Sequence, residues 1–163
     1  LISLERPGKA TDGHYHNMRG KIIDSMVTDS SLFLSEAKQA GAVVISIGDG
    51  GNEMGMGTFR KEVEAHVPCG DLICTSEAAD ITLAAGVSNW WGWGLSALLS
   101  VQSGHYLLPT DTEEKELLHH VVLAGGVDGC TGEPTETVDH LSLSDNLSVL
   151  HAVSDLVKEK LYA

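Results

Sequence analysis

The chain has 163 residues, 42% of them hydrophobic and 20% charged, the balance of an ordinary globular protein long enough to bury its own core. Asp and Glu outnumber Lys and Arg by 23 to 10, and the resulting formal charge of -13 repels phosphate backbones, which argues against nucleic acid as a partner. No apolar run reaches the ~18 residues a membrane-spanning helix needs, and Cys69, Cys74 and Cys130, lacking C-x-x-C spacing, support neither a disulfide framework nor a zinc knuckle.

The opening "LISL" reads as a strand already under way and stops at the turn signal Pro7-Gly8. Residues 9–29 are polar and Gly-punctuated, with a short element expected at "KIIDSMV". Ser30 or Ser31 is placed to cap a helix carrying Leu34, Ala37 and Ala40, and Gly41 to end it. "AVVISI" shows no alternation of polar and apolar residues, the pattern of a strand buried on both faces and therefore parallel and central. "TFRKEVEAHV" predicts a helix ended near Pro68, and "DLICT" and "DITLAAG" predict two more strands. A helix is expected from about Trp90. Thr110 and Glu113 form a capping box for another helix, with Leu117, Val121 and Ala124 along one face. Residues 125–137 read as loop, and a last helix from about Ser144 aligns Leu147, Leu150, Val153, Val157 and Leu161. The alternation of strands and helices predicts a single α/β layered domain over residues 1–163, with a mostly parallel central sheet flanked by helices. The chain is expected to be the C-terminal part of a larger protein, so a missing targeting segment carries no information about location.

The segment directly after the central strand, "GDGGNEMGMG", holds the strongest functional signal. Ligands of open parallel sheets sit beyond the carboxyl ends of the strands, and glycines let a ligand approach backbone N–H groups. The spacing is neither G-x-x-x-x-G-K-[ST] nor G-x-G-x-x-G, since counting from Gly48 puts Glu53 where the third glycine belongs. A bare anion would meet Asp49 and Glu53, so a ligand carrying both signs of charge, such as an amino acid, suits the loop better. Gly48, Gly50, Gly51 and Asn52 are the candidate backbone and amide contacts.

Three further segments contribute candidates. "ERPGKATDGHYHNMRG" supplies Arg6, Asp12 and Arg19, the arginines being suited to clamp a carboxylate. Asp12, His14 and His16 have weak metal-ligand character, and no metal site is assigned to them. In "AGVSNWWGWG", Ser88 and Asn89 are helix caps or rim contacts. Trp90, Trp91 and Trp93 cannot share one helix face, so at least one is expected to line a pocket or an interface. "GGVDGCTGEPTETVDH" adds Asp128 in a second glycine-rich loop.

Taken together, these four segments resemble, in order and approximate spacing, the C-terminal domain of the D-glutamate cyclases, mitochondrial enzymes of animals with bacterial relatives of the isolated domain. The likeness covers nearly the whole chain. It departs at His140, where relatives commonly carry Gly after "TVD". The resemblance implies a lyase of glutamate metabolism that converts D-glutamate to 5-oxo-D-proline and water in the mitochondrial matrix. The alternative is a non-catalytic module that binds an amino acid or a metal-bridged phosphate. On residue type and loop position, Glu53 is expected as the base on the substrate ammonium and Asp49 as its holder. Loop N–H groups are expected to stabilise the oxyanion, and Arg6 or Arg19 to clamp the α-carboxylate. No cofactor is required; magnesium is compatible with the loop acids, though no residue pattern demands it. The expected partner is the small-molecule substrate, with self-association and contact with a preceding domain left open, and membrane and nucleic acid excluded.

Overall fold

The computed structural model describes residues 1–162. They group into two compact units, Leu1–Ser88 and the segment from Asn89 onward. The architecture is α/β, as expected.

The first unit is built on a parallel sheet of three strands, β1 (Ile2–Leu4), β2 (Ile45–Gly48) and β3 (Ile81–Ala84), with β2 in the middle. Centrality explains the composition of β2. Ile47 and Val44 just before it are fully buried, on opposite faces, and the one polar side chain of the strand, the buried Ser46, donates to the Met54 carbonyl. Helix α1 (Ser31–Gln39) covers the Val44 face, where Leu34, Val44 and Met54 form a buried cluster with Ala37 and Ala79 packed against it. Gly41 ends that helix at φ 73, the left-handed geometry in which a glycine carries no Cβ penalty. On the other face Ile2, Leu4 and Ile81 are 53%, 45% and 46% exposed, leaving an apolar strip at the sheet margins.

Helix α2 (Arg60–His66) stops before Pro68, as its sequence predicts. The strand expected at "DLICT" is instead a single helical turn, α3 (Gly70–Ile73). A short apolar run has no period of its own, and here the surroundings decide. Cys69 takes a left-handed conformation at φ 58, which folds the chain back on α2. Gly70 lies so close to that helix that an added Cβ would stand 2.1 Å from the Val63 carbonyl oxygen.

The second unit comprises α4 (Ser88–Ser103, whose first residue ends the first unit), α5 (Asp111–Leu123), a hairpin of β4 (Thr137–Val138) and β5 (Leu141–Ser142), and α6 (Leu143–Tyr162). Its core joins Trp93 and Leu108 to Leu150 and Val157 of α6, with Leu147, Val153 and Leu161 of the expected stripe alongside. The capping box of α5 is closed in both directions. Glu113 N–H donates to Thr110 Oγ1 at 3.3 Å, and Thr110 N–H donates to Glu113 Oε2 at 2.8 Å. The hairpin is absent from the sequence-based expectation because its strands are two residues each. It turns on Asp139 and His140 at φ 49 and 58, a turn that needs positive φ at both central positions. His140 therefore occupies a left-handed site, which is why glycine is at home there and why histidine is among the better-tolerated replacements.

Asp128, only 3% exposed, organises the loop before that hairpin. Its carboxylate accepts from Cys130 N–H and Thr131 N–H at 2.9 Å, Thr137 Oγ1 at 2.7 Å and His140 N–H at 2.8 Å. Burial alone would push the acid's pKa up, but the hydroxyl and the three N–H donors outweigh it and hold the group well below the ordinary carboxylate range. A carboxyl whose folded pKa is depressed contributes stability in full above its unfolded value and loses it as pH falls. Thermal melts of the wild-type chain should therefore drop as pH falls from about 4 towards 2. Asp128→Asn should lower the melt at neutral pH, costing about 1–3 kcal/mol, and flatten the acid slope. An unchanged slope would assign the acid sensitivity to other groups.

Candidate functional site

The carboxyl end of β2 opens into the loop at Asp49, and the loop is shaped by one of its own side chains. Glu53 is 2% exposed and folds back under the backbone that precedes it. Its Oε1 accepts from Asp49 N–H at 3.0 Å and Gly50 N–H at 2.7 Å, and its Oε2 accepts from Gly51 N–H at 2.7 Å. Glycine is required where this side chain passes: an added Cβ at Gly48 would lie 2.6 Å from Glu53 Cδ, and Gly51 sits at φ 95 against Val63. The turn at Pro7-Gly8 clamps the loop from outside, with Met54 N–H donating to the Arg6 carbonyl at 2.7 Å and Gly8 N–H to the Asn52 carbonyl at 2.9 Å.

Glu53 does not stand alone. One carboxylate oxygen each from Glu5, Asp49 and Glu53 lies within 4.8 Å of the others. Glu5 directly follows the edge strand β1 in a left-handed conformation at φ 53, so the ends of two neighbouring parallel strands deliver an acid to the same spot. Ser88, 1% exposed, ties the two outer acids together. Its hydroxyl contacts Glu5 Oε2 and Asp49 Oδ2, and its N–H donates to Asp49 Oδ2 at 3.1 Å. Like charges this close repel one another, the more so where water is excluded. Loop N–H groups relieve Glu53. Glu5 and Asp49 face solvent, where a cation or an ammonium group would relieve them. Beside Asp49 a hollow of about 320 Å³ runs past Gly50 and Gly51 to Met56, Phe59 and Val63.

The other sequence candidates fall in different places. Arg6 is turned to the α1 side: its Nε donates to Ser30 Oγ at 3.0 Å and its Nη2 to the Thr28 carbonyl. Asp12 accepts from His14 N–H at 3.0 Å and contacts His16 Nε2 at 2.9 Å, which braces the loop between Lys9 and Ile22. His14 meets Asp24 at 2.7 Å, a contact that raises the histidine pKa and lowers that of the aspartate. Arg19 is exposed in the same segment. The Asn52 amide is spent on the His16 carbonyl at 2.8 Å. Asn89 and Asp128 belong to the second unit, where Trp93 lines a cavity as at least one tryptophan was expected to. Sequence reasoning missed Glu5. Its signal was position: an acid directly after a strand that pairs in parallel with the strand feeding the glycine loop.

The N–H groups expected to meet an oxyanion are thus occupied by Glu53. Replacing Glu53 with Gln puts an amide group against N–H donors, and Gly48→Ala evicts the side chain sterically. Both variants should lower the unfolding free energy by about 1–3 kcal/mol, and should speed amide exchange at Gly50 and Gly51 by about tenfold or more. Protected amides in both variants would show that the loop holds without its acid.

A family model described as D-glutamate cyclase-like, C-terminal, matches residues 1–154. The mitochondrial D-glutamate cyclase of Homo sapiens is 41% identical over 102 residues, which are 62% of this chain and 17% of that protein. The chain thus spans less than a fifth of the curated relative it matches. With nearly its full length matched, the chain belongs to the D-glutamate cyclase-like, C-terminal family.

Proposed function

We propose that this chain is part of a D-glutamate cyclase and that Glu5 and Asp49 receive the ammonium group of D-glutamate. The observation that carries the proposal is the meeting of three carboxylates at the carboxyl end of a parallel sheet. The reaction joins the α-nitrogen to the carbon of the γ-carboxyl group, closes the five-membered lactam of 5-oxo-D-proline and releases one carboxyl oxygen as water. For the nitrogen to attack, its ammonium must lose a proton, and a carboxylate within hydrogen-bond reach is the group to take it. Asp49, steadied by Ser88, and Glu5 suit that part better than Glu53, whose role becomes the support of the loop. The hollow beside Asp49 has room for the two methylene groups between the α-carbon and the γ-carboxyl. By the same kinship the protein would work in mitochondria.

A second reading takes the same carboxylates as ligands of a divalent cation, with no catalysis in this chain. It is favoured by their oxygen spacing, since hard cations gather carboxylate oxygens from several residues.

Steady-state assays of the full-length protein separate the two. On the first reading Asp49→Asn and Glu5→Gln each lower D-glutamate turnover by about 100-fold or more, and calorimetry shows D-glutamate binding that is independent of added metal. On the second, Mg²⁺ or Mn²⁺ binds the chain with no D-glutamate present, and the same substitutions abolish that heat. Full turnover in both variants would remove the site from the reaction.

A further inference from the structure

The second unit holds a cavity of about 270 Å³ that shares no lining residue with the carboxylate cluster of the first. Taking ~30 Å³ per water-sized volume, it has room for about nine such volumes, enough for a small organic molecule. Its wall is mostly apolar, formed by Trp93, Leu118, Val121, Val138 and Leu143. Every charged group among the described residues that line it is an acid: Glu114, Asp128 and Asp139. These acids differ in what they have left to offer. Asp128 already accepts four hydrogen bonds, the full capacity of a carboxylate. Asp139 receives the Cys130 thiol at 3.7 Å. Glu114 is anchored at a single oxygen, with Trp93 Nε1–H donating to its Oε1 at 2.8 Å, which fixes the carboxylate against the indole and keeps acceptor capacity for a second donor.

We infer that this cavity binds a small amphiphilic ammonium ion, with its hydrocarbon group among the leucines and valines and its charge at Glu114. A carboxylate fixed at one oxygen in an apolar wall is a favourable partner for an ammonium group, through charge and hydrogen bonding together. A carboxylate ligand would face three acids. A neutral ligand would gain from the wall but leave the Glu114 charge unanswered.

The test uses three probes of nearly equal shape, 3-methylbutylammonium, 3-methylbutanol and 4-methylpentanoate, titrated into the chain while the Trp93 indole N–H resonance is followed. The ammonium should shift that resonance saturably and bind at least about tenfold more tightly than the other two. Glu114→Gln should erase the preference, and Val121→Phe, which fills the cavity, should abolish binding of all three. The proposal is overturned if the alcohol binds as well as the ammonium, if the anion is preferred, if no probe saturates the signal, or if Glu114→Gln leaves the preference intact.

Discussion

The arrangement at the carboxyl end of the sheet depends on Glu53 accepting three consecutive N–H groups from its own loop. Successive N–H groups aimed at one point make an anion-binding concavity, and in most glycine loops a phosphate or carboxylate of the ligand fills it. Here the chain supplies the anion itself. The donors are consumed, and what the loop turns outward is the negative charge of Asp49, joined by Glu5 from the neighbouring strand. One internal carboxylate thus occupies the donors that would otherwise meet an anion and leaves the loop's outward charge negative.

The second unit repeats the device with a different result. Asp128 gathers three N–H groups and a hydroxyl in the loop before the β4–β5 hairpin, and it is saturated by them. In both loops a short acidic side chain does the work that a strand ladder does elsewhere: it gives backbone donors a partner where the chain is too irregular to supply carbonyls. Asp128 is saturated by its own loop, while Glu53 stands next to two exposed acids.

The fold was legible where periodicity or its absence carries information. The doubly buried β2, the stripe of α6, the capping box of α5 and the glycine end of α1 all follow from local rules. The turn α3 and the hairpin did not. One is too short to show a period, and the other exists because Asp139 and His140 accept a backbone geometry that their residue types only tolerate. At the candidate site the sequence identified the loop and its acids but not their directions. Glu53 was expected to face a ligand and faces the backbone. Arg6, two residues from a glycine turn, was expected as a clamp and is bound to Ser30 and the Thr28 carbonyl. Residue type states which bonds a side chain is able to make, and only tertiary placement states which it does make.

The crowding around Glu53 also bears on how relatives of this chain are to be compared. Gly48 has no room for a Cβ beside the Glu53 carboxyl, and Gly51 has none beside Val63. Packing alone would keep those positions glycine through divergence, whether or not a descendant retained any chemistry. Asp49 and Glu5 are under no such steric rule, since both face water. Among homologues, the integrity of those glycines therefore reports on packing and carries no information about chemistry.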